Sequence, residues 1–231
     1  MRFNLLSPSI AATPVARFNI PEILWSLKQT KSQFKQINKS LNSRRGKLTN
    51  EMIDNLIEGY RYVDCLLAQG IDPLAMGNSK LLLEINTLVL CGSDKSKRQT
   101  FSDHIEQNAE YFYDDSHGGV GELVEWNQFH ARDNIWKKAA GLYIHIMSQP
   151  QLFIEGNHRS AILIVSYLLA RNGHPPFVLT PNNAKELLDY SIQISELKKH
   201  SLRTLIQIPR IKEQLAATLK GTLEARHTLA G

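Results

Sequence analysis

Cysteine is nearly missing from this chain, at two residues in 231. Cys65 and Cys91 are isolated and lie in apolar settings, so they exclude a disulfide framework and a multi-cysteine metal site and are expected to be buried thiols. No apolar run approaches the roughly 20 residues that a membrane span needs, so no membrane partner is expected. The first residues, Met-Arg-Phe-Asn-Leu-Leu-Ser-Pro, lack the apolar centre and cleavage site of a signal peptide, and the expected location is the cytoplasm. The eight histidines show no ligand spacing of the H-E-x-x-H kind, and there is no Walker-type glycine loop and no G-x-S-x-G elbow. Period-two alternation is almost absent, and neither repeats nor low-complexity stretches occur.

One sign of charge is missing locally. Between Ser26 and Leu48 stand Lys28, Lys31, Lys35, Lys39, Arg44, Arg45 and Lys47, without a single acid. That run could be a patch for nucleic acid or another acidic partner. It could equally be the solvated face of a helix whose buried stripe is Leu27, Phe34, Ile37 and Leu41. No aromatic residues interleave with the charges as stacking platforms would, so nucleic acid is not the expected partner.

What is present is helical punctuation. Pro21 can open a helix towards Leu41, and Asn42 to Gly46 is a break. Thr49 is a candidate N-cap for a helix ended by Gly70-Ile-Asp-Pro73. Further helices are predicted over Ser79 to Leu90, Arg98 to Phe112, Ile135 to Met147, His158 to Arg171, Asn183 to Tyr190 and Glu196 to Ala225, with a short helix or turn over Leu123 to Phe129. Residues 1–20 read as irregular. The segment His158 to Arg171, with Asn157 as its expected cap, is apolar on nearly every side, which marks a surrounded central helix. The class is mainly α with at most one hairpin. The chain divides into an N-terminal helical extension with the basic helix (1–78), a core (79–200) and a C-terminal helical segment (201–231).

The most informative stretch is Gln151-Leu-Phe-Ile-Glu-Gly-Asn-His-Arg-Ser-Ala-Ile162. An apolar approach leads to an acid, a tight Gly-Asn turn and an Arg-started helix. Free N–H groups and the helix dipole at such an end attract a phosphate, and the acid beside them could hold a metal ion on the same phosphates. The bland alternative is a structural loop-to-helix junction.

These residues resemble the pattern of the Fic/Doc (Fido) family, H-x-F-x-[DE]-G-N-[GK]-R-x-x-R, with Phe153, Glu155, Gly156, Asn157 and Arg159 in register. The resemblance runs over roughly Leu82 to Ile194. It implies a Fic-like helical core with a small flap hairpin, near His117 to Gly121, and transfer of an AMP-type group from a nucleotide to a protein hydroxyl. It implies ATP or another nucleotide with Mg²⁺ as cofactors and a target protein as partner. Glu155 would hold the metal; Gly156, Asn157, His158 and Arg159 would bind phosphate; Phe153 would anchor the loop. The motif departs from the family at three places. Gln151 stands where the proton-accepting His is found, and an amide accepts no proton near neutrality. Ile162 replaces a second Arg that holds the distal phosphates. His158 replaces Gly or Lys and is either a substitute base, a phosphate contact or a simple first-turn residue. Asp54-Asn-Leu-Ile-Glu58-Gly59 resembles the family's inhibitory-glutamate motif, which makes Glu58 a candidate regulatory residue or a mere surface acid. Three expectations stand side by side: a slow or unusual transferase, a catalytically silent binding or regulatory module, and a function carried by the basic segment. The oligomeric state is left open.

Overall fold

The computed structural model describes residues 15–229; the expectation of irregular chain over 1–20 lies outside them up to residue 14. Ten α-helices follow in chain order: α1 Ile20–Ser40, α2 Asn50–Ala68, α3 Ser79–Cys91, α4 Lys95–Thr100, α5 Ser102–Tyr113, α6 Gly119–Phe129, α7 Ile135–Met147, α8 Asn157–Arg171, α9 Ala184–Ser195 and α10 Leu202–Thr222. Among the described residues there is no strand, only isolated bridges between Phe18 and Thr228 and between Gln149 and Lys198. The mainly α class is therefore the observed one.

Local chemistry places most boundaries. Thr49 Oγ1 accepts the Met52 N–H at 3.1 Å and starts α2. Gly92, at φ 72°, follows the end of α3, and Gly173, at φ 77°, follows α8. Four expectations are corrected. The polar helix over Arg98 to Phe112 is two helices, because the chain breaks at Phe101 between α4 and α5. The last helix starts at Leu202, because Lys198 and Lys199 are used in pairing with Gln149, whose carbonyl accepts the Lys199 N–H at 2.8 Å. No hairpin forms around His117 to Gly121; Asp114 accepts the Ser116 N–H and a single 3₁₀ turn feeds α6. Cys91 is buried as expected, whereas Cys65 is exposed.

Helix α8 is the centre. Twelve of its residues are buried, and α2, α3 and α7 pack around it while α10 covers the other side of α7. At Gly59 a Cβ would collide with the Leu163 side chain, so that glycine is what lets α2 close on α8. One continuous apolar core takes in Ile23 and Leu27 of α1, the α7–α8 pair, and Leu215 and Leu219 of α10. The predicted stripe on α1 is in place: Leu27, Ile37 and Leu41 are buried and Phe34 packs against the core. The N-terminus of the central helix is thereby fixed between α3 and α5 on one side and the α1–α2 loop on the other.

Candidate functional site

The loop joining α7 to α8 is held by side-chain amides. Asn157 is 4% exposed, and its Oδ1 accepts the Phe153 N–H at 2.9 Å. Its Nδ2 donates to the Phe153 carbonyl at 2.7 Å and to Gln151 Oε1 at 3.0 Å. Gln151 Nε2 in turn donates to the Met147 carbonyl at 3.0 Å. From outside, buried Asn86 of α3 donates to the Glu155 carbonyl at 2.9 Å and to Ser160 Oγ at 3.0 Å. Asn108 of α5 donates to Asn86 Oδ1 at 2.8 Å and accepts the Ile154 N–H at 3.0 Å. Phe153 is buried and its ring stacks on Phe112 at 5.2 Å, which is the anchoring place expected for it.

This network changes one assignment. Asn157 was expected to cap α8. It is instead the first helical residue, and its side chain turns back to close the loop. The cap position belongs to Gly156, which sits at φ 79° and ψ 2°. A Cβ there would lie 2.9 Å from Asn86 Nδ2, so the close approach of α3 and the left-handed backbone both require glycine. No side chain caps the helix, so its first-turn N–H groups are left for another partner.

Those groups open on a cavity of about 270 Å³. One wall is the start of α8, Gly156 to Arg159 with Ile162; the other is α1 and the loop that follows it, with Arg45 and Lys47, and most of the remaining lining is apolar, including Leu27, Met52, Leu56 and Leu188. The basic run thus has a split fate, its helical part solvated and its loop facing the α8 terminus. Arg159 donates to the Val89 carbonyl and has Nη2 3.9 Å from Glu155 Oε1. Burial lowers its pKa against the pull of Glu155. The Nε2 of His158 is buried without a partner. Burial first, then the charges of Arg45 and Arg159, pushes the His158 pKa down to about 3. At neutral pH this imidazole is uncharged and too weakly basic to take a proton from a hydroxyl. Ile162 is 2% exposed and apolar.

Glu155 is outside the cavity lining, next to Gly156 in the chain, with 63% of its side chain exposed. Its Oε2 lies 3.8 Å from His104 Nε2 on α5, a neighbour that no spacing in the sequence marks. Neither neighbour is close enough for a short hydrogen bond, so the carboxylate is available to a cation. Among the described residues no three of His, Cys, Asp and Glu converge on one point. A Mg²⁺ ion fits here only as Mg²⁺ commonly binds, through one carboxylate with phosphate oxygens and waters completing the shell. Glu58 is elsewhere: its carboxylate accepts the Ser93 N–H at 2.5 Å and ties α2 to the turn after α3. The ion-pair partner of Arg159 is Glu155.

The residues that spacing brought forward therefore separate. Gly156, His158 and Arg159 face the cavity together with Asn157, Glu155 is outside its lining, and Gln151 and the Asn157 side chain serve the loop. Arg45 was visible in the basic run, but nothing local linked it to a helix more than a hundred residues later. No family model and no curated protein matches the chain. Among solved structures it is similar to a Fic domain containing signaling protein from Bacteroides thetaiotaomicron VPI-5482, at 14% identity and a TM-score of 0.49, over 87% of this chain and 86% of that one.

Proposed function

We propose that the chain binds a nucleotide or related polyphosphate at the N-terminus of α8. The observation that carries this reading is the uncapped helix end opening on a cavity lined by Arg45, Lys47, His158 and Arg159. Helix N–H groups, the helix dipole and guanidinium groups act together on an anion. Where the ligand carries Mg²⁺, Glu155 would hold the ion, which would supply charge neutralisation of the phosphates.

The resemblance to the Fic motif extends the reading to transfer of an AMP-type group to a protein hydroxyl. Here the chain's own residues divide the work unevenly. They bind and orient phosphate, but neither Gln151 nor His158 takes the proton. The amide of Gln151 is tied to Met147 and Asn157, and His158 is held neutral with a pKa of about 3. A missing general base costs about 10²–10⁴ in rate, while positioning and charge stabilisation, the main part of phosphoryl transfer, survive. This favours ligand binding, or a slow transfer, over fast catalysis.

The test is calorimetric titration with ATP, ADP and pyrophosphate, with and without Mg²⁺, on the native chain and on Arg159→Ala. Binding that Arg159→Ala weakens is expected; no heat with any phosphate ligand would remove the reading. Intact-mass measurement of self-modification, native against Gln151→His, then separates the two modes. Modification by the native chain shows a transferase, and modification by Gln151→His alone shows a silent binding module.

A further inference from the structure

We infer that Arg45, from the loop between α1 and α2, is the second phosphate-binding cation of this site and supplies from outside the motif the guanidinium that Ile162 cannot. This rests on the phosphate-binding reading of the cavity. The consequence is a preference for ligands with two or more linked phosphates, because cations then stand on both walls.

The placement of Arg45 is built in. Its N–H donates to Asn38 Oδ1 at 2.7 Å and its carbonyl accepts from Asn38 Nδ2 at 2.8 Å, so α1 fixes the backbone from which the side chain departs. The guanidinium donates through Nη2 to Ser191 Oγ of α9 and lines the cavity opposite the first turn of α8. Its Nε is buried with no partner. A second orphaned atom belongs to the same lining: His158 Nε2. Buried polar atoms without partners are uncommon and costly, and two on one cavity call for a common partner. No carboxylate lines the cavity. The acid nearest in effect to Arg45 is Asp189, and it is already engaged by Lys185 at 2.6 Å and the Asn42 N–H at 2.9 Å. The missing partner is therefore an anion from solution, received between Arg45 and Arg159.

Removal of Arg45 alone tests this, with inorganic pyrophosphate and inorganic phosphate as calorimetric probes. Arg45→Gln is expected to weaken pyrophosphate binding about 10- to 100-fold, the range for charged hydrogen bonds, and phosphate binding much less. Arg45→Lys should fall between. Ser191→Ala removes a partner that only orients the guanidinium and keeps the charge, so it should weaken pyrophosphate binding less than Arg45→Gln does. Circular-dichroism melts of each variant establish that it is folded. If Arg159→Ala abolishes binding while Arg45→Gln binds pyrophosphate as tightly as the native chain, the inference falls and the site stands. If Ser191→Ala weakens binding as much as Arg45→Gln, Arg45 is a strut and the inference also falls. If the native chain binds neither probe, the phosphate-binding reading falls with it.

Discussion

The two faces of the α7–α8 turn contrast sharply in how their polar atoms are used. On the face towards α3 and α5, every amide of Gln151, Asn86, Asn108 and Asn157 has partners within 3.0 Å. On the face towards α1 and α2, Arg45 Nε and His158 Nε2 are buried and bond nothing. The amides of the first face are saturated, leaving His104 Nε2 of α5 as its orphan, whereas the second face holds two buried nitrogens on one cavity. Saturation fixes a shape, and shortage marks where a ligand completes it. The same turn thus separates a structural half from a receptive half, although a single motif spells both.

Substitutions can break this contrast, and the largest effect should come from the saturated face. Asn157→Ala removes three hydrogen bonds in a buried loop, which should cost about 3 kcal/mol, read as a lowered urea midpoint. A midpoint unchanged from the native chain would show that the loop is held by something else. Gly156→Ala forces a Cβ against Asn86 at a left-handed backbone, with an expected loss of about 2 kcal/mol. On the receptive face, acid should do the damage. The His158 pKa lies near 3 in the fold against an ordinary 6.5, so its contribution is complete above about pH 6.5 and is lost as pH falls towards 3. His145, also near 3, and His227, near 4, add to the same loss. His158→Gln should shrink the fall in melting temperature between pH 7 and pH 5 without abolishing it. Pyrophosphate should do likewise in the native chain, because a bound anion favours the imidazolium; a fall untouched by either would place the anion elsewhere. Smallest of all, Glu155→Gln should leave stability within about 0.5 kcal/mol and reduce only the Mg²⁺-dependent part of ATP binding.

Much of this was legible in sequence because it is local. Thr49, Gly92 and Gly173 act on their own helix ends, and the apolar periodicity of α7 and α8 needs no partner to be read. The phosphate-prone turn was legible for the same reason, since Gly156 and Arg159 are four positions or fewer from every N–H they affect. Part of what escaped depends on distant chain. Asn157 looks like a cap until Phe153 is folded back on it. The helical turn at His117 was local as well, set by Asp114 accepting the Ser116 N–H, whereas nothing in the structure explains the break at the exposed Phe101. Arg45 is a surface charge in sequence and a cavity wall in space, since Asn38 and Ser191 position it from two different helices.

The peptide fastening of Phe153 to Asn157 has an entropic consequence. Ordering a flexible backbone costs about 1–2 kcal/mol per residue at the moment of binding. Here Asn86, Asn108 and Asn157 hold that backbone in place through hydrogen bonds within the chain, and only exposed side chains such as Glu155 are left to settle. Association should therefore be quick and need no loop closure, with affinity set by charge and not by refolding.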